Sequence, residues 1–90
     1  MAIIFLESAG KHGFTEADAV NALLHATWKM ERFDVSRVEG SPKPTLWVGR
    51  ALNGREVEVM TYTSPPRDVV VFHCMELRDK FRRMMEGERS

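Results

Sequence analysis

The spacing of apolar side chains changes period several times along the chain, and each change marks an element. Residues 2–6 form a short apolar run that predicts a first strand. Residues 8–13 predict a single helical turn, with Ser8 placed to cap it and Gly13 to end it in a left-handed conformation. At Thr15 a stronger helix start appears. Its hydroxyl can accept from first-turn amides, Glu16 and Asp18 complement the positive end of the dipole, and Ala17, Val20, Leu23 and Leu24 make an apolar stripe, predicting a helix over 16–26. Residues 28–35 alternate apolar and charged positions, which predicts a half-buried strand with a bulge or bend between Met30 and Phe33. Gly40, Pro42 and Pro44 then enforce a loop.

Residues 45–51 and 56–63 predict two strands joined by a tight turn at Asn53-Gly54. Ser64-Pro65-Pro66-Arg67-Asp68 turns the chain into a valine-rich strand over 69–74, and from Met75 the period becomes helical, with Leu77, Phe81, Met84 and Met85 on one stripe and a frayed tail over 87–90. The expected fold is α+β: an N-terminal strand and helix, an antiparallel meander of three to four strands, and a C-terminal helix, in one domain spanning residues 1–90.

Composition narrows the classes. Ninety residues bury only about 60 to 65% of the unfolded surface, enough for one modest core and no second catalytic lobe. Net charge is +0, so recognition of an anionic partner has to come from a local patch, and Arg78, Lys80, Arg82 and Arg83 supply one. The single cysteine, Cys74, has no internal disulfide partner and reads as a small buried hydrophobe in a reducing compartment. The opening apolar run lacks a basic flank and is too short for a signal sequence or membrane span, so a cytoplasmic protein that engages no membrane is expected.

Zinc spacing, a phosphate-binding glycine loop and a Ser-His-Asp signature are all missing, and no cofactor is expected. Candidate chemistry gathers at the junction of the last strand and last helix. Strict alternation puts Val70, Phe72 and Cys74 on one strand face and Val71, His73 and Met75 on the other. Were His73 to share a face with Arg50, Glu58 and Tyr62, bordered by Arg78 and Lys80, the set would suit metal-independent RNA cleavage by attack of a 2′-hydroxyl on the neighbouring phosphate. His73 or Glu58 would move protons, and Arg50, Arg78 and Lys80 would stabilise the phosphoryl charge.

Each residue also has a plain structural reading. His73 can be a hydrogen-bonded strand end, Glu58 one half of a cross-strand ion pair, the helix arginines a solvated face, and Lys11 and His12 complements to a helix dipole. Trp28 and Trp47 fit a core or partner interface. Trp28, Met30 and Phe33 suit either a docking face or a local core contact.

Several strings resemble the BrnT-type toxins of the RelE/ParE-like group. These are Lys11-His12-Gly13-Phe14-Thr15-Glu16-Ala17-Asp18-Ala19, Val48-Gly49-Arg50, Val57-Glu58-Val59 leading to Tyr62-Thr63, and the closing run from His73 to Phe81, which looks like an actinobacterial subgroup pattern. The resemblance runs over about four-fifths of the chain, and the strings occur in the family's order. The resemblance implies a RelE-like fold, inhibition of translation by RNA cleavage, either on the ribosome or on free RNA, and neutralisation by a small antitoxin with a DNA-binding domain; homo-oligomers are compatible with it. It matches Lys11 and His12 to the family's lysine-histidine-glycine turn, Arg50 to its strand arginine, and His73, Arg78 and Lys80 to its closing motif. Lys11, His12, Tyr62, Arg82 and Arg83 are accordingly expected to bind RNA. The chain departs from the family in opening with a strand and in carrying Met75 and Glu76 where basic residues are common. A non-catalytic toxin-like module acting through a protein partner is the competing expectation, favoured by the neutral charge.

Overall fold

The computed structural model describes residues 2–31, 44–64 and 67–89. Five strands form one mixed sheet: β1 (Ile3–Phe5), β2 (Trp28–Met30), β3 (Thr45–Arg50), β4 (Glu56–Ser64) and β5 (Asp68–Glu76), in the spatial order β1-β5-β4-β3-β2. A 3₁₀ turn (Glu7–Gly10) and α1 (Glu16–Leu24) follow β1, and α2 (Asp79–Arg89) closes the chain. The fold is α+β, as the periodicity predicts. Strands β2 to β5 form the antiparallel part, and β1 adds to β5 in parallel through Ile3 opposite Val69 and Phe5 opposite Val71. The expected strand residues 32–35, the loop residues 39–43, Pro65, Pro66 and Ser90 lie outside the described residues.

Helices cover both faces of the sheet, which explains why β4 is buried along most of its length with little alternation and why β5 is a valine-rich run. On one face Val57, Val59, Val71 and Cys74 pack with Ala9, Ala19 and Ala22; on the other Leu46, Val48 and Met60 pack with Leu77, Phe81 and Met85 of the α2 region. Trp28 and Met30 join the second cluster and Trp47 the first, so all three serve the core. Burial pushes the Cys74 thiol up to about 11, with the Asp18 carboxylate adding to the shift.

The expected stripe on α1 is displaced. Ala19 and Ala22 are buried, whereas Ala17 is exposed and Leu24 is 73% exposed. The cause is close approach: a Cβ built on Gly49 would lie 2.3 Å from the Ala22 carbonyl oxygen, so only small residues fit where α1 meets β3. The helix start is as expected, with Thr15 Oγ1 accepting from the Asp18 amide and Asp18 Oδ2 accepting from the Thr15 amide. Asp18 does more than favour the dipole, since its Oδ1 also accepts from the Leu52 amide and ties α1 to the β3–β4 turn. These bonds, led by that from the Thr15 backbone, hold the Asp18 carboxyl below its ordinary range against a smaller desolvation effect.

Three further expectations are corrected. Leu6, not Ser8, precedes the 3₁₀ turn, and it offers no side-chain cap. Gly54 takes the positive φ of 88° in a hairpin connection wider than two residues, because Ala51 and Arg55 still pair across its base. The helix α2 starts at Asp79, not at Met75, because β5 extends to Glu76, and it runs to Arg89.

Gly49→Ala is expected to destabilise the protein by about 2–3 kcal/mol or more, since backbone must move to admit the methyl group. Urea unfolding measures this, and a change within about 0.5 kcal/mol would rule out the tight helix–strand contact. Asp18 gives a pH test. Its folded pKa lies below its unfolded value, so its contribution is present above the unfolded pKa, near 4, and fades as pH falls through the lower folded pKa. The urea midpoint of Asp18→Asn should therefore fall below that of wild type at pH 7, and the gap should narrow towards pH 3.

Candidate functional site

A β-bulge in β5 builds the site. Met60 pairs with His73 but Thr61 pairs with Val71, leaving Phe72 as the extra residue. The bulge reverses the alternation on which the sequence expectation rested: Cys74 packs on the same face as Val71, while Phe72 joins the Met60 cluster. His73 is thereby turned away from Val71 and onto the face that carries Glu58.

There His73 Nε2 lies 3.0 Å from Glu58 Oε1. The same oxygen accepts from Arg78 Nε at 2.7 Å, and Oε2 accepts from the Arg78 backbone amide at 3.4 Å. Glu58 is not paired with an arginine across the sheet; its partners are His73 on the neighbouring strand and Arg78, the residue preceding α2. The Glu58 side chain is 0% exposed, against 19% for His73 and 39% for Arg78, so a buried carboxylate supports two groups that reach the surface. A carboxylate cannot donate, so His73 carries a proton on Nε2 in this contact, and in the neutral ring the lone pair is then on Nδ1. Glu58 thus fixes the tautomer of a histidine whose other nitrogen is a base.

The surrounding backbone holds this geometry. Pairing with β1 covers β5 only as far as Val71; beyond it, the Leu6 amide donates to the Val71 carbonyl and Ser8 Oγ donates to the Phe72 carbonyl at 3.1 Å. This brings the turn after the 3₁₀ segment alongside the bulge, and the His12 ring lies edge-on to His73 with centroids 6.0 Å apart. Gly13, at φ 90°, returns the chain from there to α1.

The remaining candidates sit around this centre. Arg78 and Lys80 both lie over the Phe81 ring, at 5.1 and 4.9 Å from its centroid. Tyr62 packs on Phe72 at 5.6 Å between ring centroids. Arg82 Nη2 donates to Glu56 Oε1 at 2.9 Å. Lys11 and Arg83 are exposed. Arg50 stands apart from the histidines at the end of β3, where Nη1 donates to the Gly54 carbonyl and Asn21 donates to the Arg50 carbonyl. Its interactions here are those of a turn.

The structure therefore brings His73, Glu58 and Arg78 together and adds His12, which sequence reasoning placed on the binding periphery. The bulge itself left no periodic signal, because Val71, Phe72, His73 and Cys74 all suit a strand. Among the described residues no group of three or more His, Cys, Asp or Glu side chains could hold a metal ion, and no described helix is long and apolar enough to cross a membrane. No family model, curated protein or solved structure matches the chain.

Glu58→Ala leaves the partly exposed His73 and Arg78 without their shared acceptor and should cost about 1–3 kcal/mol. By contrast, breaking the exposed Arg55–Glu76 pair through Glu76→Ala should cost at most about 1 kcal/mol. Chemical denaturation of both variants checks the contrast, and equal losses would refute the assigned burial of Glu58.

Proposed function

We propose that the chain is the toxin of a type II toxin–antitoxin pair, inhibiting translation by metal-independent RNA cleavage and neutralised by a small antitoxin with a DNA-binding domain. The observation that carries the reading is the contact of His73 Nε2 with buried Glu58 beneath the Arg78 guanidinium. In this reading His73 Nδ1 takes the proton of the attacking 2′-hydroxyl. The Arg78 Nη groups, free of the Nε contact with Glu58, hold the phosphoryl oxygens as charge builds on them, with Lys80 alongside. Glu58 is a positioning residue, because Arg78 and His73 occupy its oxygens. In this reading Lys11, Tyr62 and Arg83 make backbone and base contacts on RNA, while Arg50 acts on the turn that supports the sheet.

A second reading has its own observation. Arg82 and Arg55 are paired with Glu56 and Glu76, and net charge is zero, which leaves a weaker basic surface than RNA-binding domains carry. In that case the chain is a non-catalytic module whose target is a protein.

Induced expression should arrest growth for the wild type and not for His73→Gln or Arg78→Ala, with soluble level and circular dichroism unchanged. His73→Gln retains a donor towards Glu58, so it separates chemistry from folding. Purified wild type should cleave RNA in the presence of a chelator. Arrest without RNA cleavage selects the protein-binding module; full toxicity of folded His73→Gln removes His73 from the mechanism.

A further inference from the structure

We infer that His12 is the second proton-transfer residue of the site, so that cleavage leaves a 2′,3′-cyclic phosphate on one fragment and a 5′-hydroxyl on the other. The inference rests on the RNA-cleavage reading and deepens it. A base alone completes half of the reaction, because the departing 5′-oxygen must gain a proton. Arg78 is a poor donor, since guanidinium stays protonated throughout the working range, and the Glu58 carboxylate has none to give. A lysine ammonium is by type a weaker acid than an imidazolium.

His12 answers the requirement. It is exposed, its ring is 6.0 Å from that of His73, and an imidazole is the side chain that most often gives a proton to a leaving oxygen. The two histidines differ in a useful way. Glu58 fixes the Nε2 side of the His73 ring, while His12 is exposed on the outer side.

The step balances as follows. The 2′-hydroxyl proton passes to His73 Nδ1 as the 2′-oxygen bonds to phosphorus. The bond from phosphorus to the 5′-oxygen breaks, that oxygen keeps the electron pair, and it takes a proton from His12. His73 ends protonated and His12 neutral, and exchange with water restores both. A phosphodiester seated between the rings draws them apart, with the entering and leaving oxygens on opposite sides of phosphorus. The charged and titratable groups facing the pair are Glu58 from β4, Arg78 ahead of α2, and Lys11 beside His12.

Paired substrates test the assignment: an RNA oligonucleotide with an ordinary linkage, and the same oligonucleotide with sulfur in place of the 5′-bridging oxygen. A thiolate leaves without being protonated, so the second substrate needs a base and no acid. His12→Ala should slow the ordinary substrate by about 10²–10⁴-fold and the sulfur substrate by no more than a few-fold, while His73→Gln slows both by a similar factor. Wild-type products should carry cyclic phosphate ends.

Equal slowing of both substrates by His12→Ala would make the residue a binding group and overturn the inference. Wild-type rates for His12→Ala on ordinary RNA would overturn it too, and would leave the nuclease reading standing on His73. If the wild type cleaves neither substrate, the nuclease reading fails and the role of His12 falls with it.

Discussion

A carboxylate with no exposed surface has to be matched by cations or donors from its own fold, and Glu58 imposes that condition on three elements at once. It lies on β4, takes His73 from β5, and takes both the side chain and backbone amide of Arg78 at the entrance to α2. The helix is then fixed at a second point by Arg82 on Glu56. The spacing is commensurate: four residues of helix advance about 6 Å and two residues of strand about 6.6 Å, so consecutive arginines on one helix face meet alternate glutamates on one strand face. Apolar packing of Phe81 and Met85 supplies the driving force for docking α2. The two ion pairs set its register.

Stability alone does not call for this arrangement. Buried ion pairs replaced as a whole by apolar residues of similar volume are often neutral or stabilising. A sheet face already carrying Leu46, Val48 and Met60 would accept another apolar residue at position 58. What the carboxylate provides in addition is orientation: a histidine with a defined tautomer and an arginine with its outer nitrogens turned to solvent. The opposite face shows the contrasting economy, since α1 approaches β3 through Ala22 and Gly49 with nothing larger between them.

The elements themselves were readable from period and punctuation. Thr15 with Asp18, Asn53-Gly54, and the stripe of Leu77, Phe81 and Met85 each announce local structure through local chemistry. Two things were not readable. The phase of α1 was misjudged because size, not hydrophobicity, selects its contact face, and scoring apolar spacing favours Leu24 over the smaller Ala19 and Ala22. The phase of β5 was misjudged because a bulge is a property of two strands together, specified by how Met60 and Thr61 meet their partners rather than by any residue in β5. The grouping of Glu58 and His73 on one face was expected, but strict alternation would have set His73 beside Val71. Proximity of His12 to His73 depends on a contact between the two ends of the chain and has no local signature at all.

That contact has a bearing on the order of assembly. Ile3 pairs with Val69, a separation of 66 residues, and β1 contributes only three residues to secure it. Closing so long a loop for so short a strand is entropically costly and comes after the β3–β4–β5 meander, whose contacts are nearer in sequence, is in place. The turn bearing His12 travels with β1. A chain emerging during synthesis would thus hold Glu58, His73 and Arg78 in their final relation before His12 arrives, and the two imidazoles would meet only as the last step of folding.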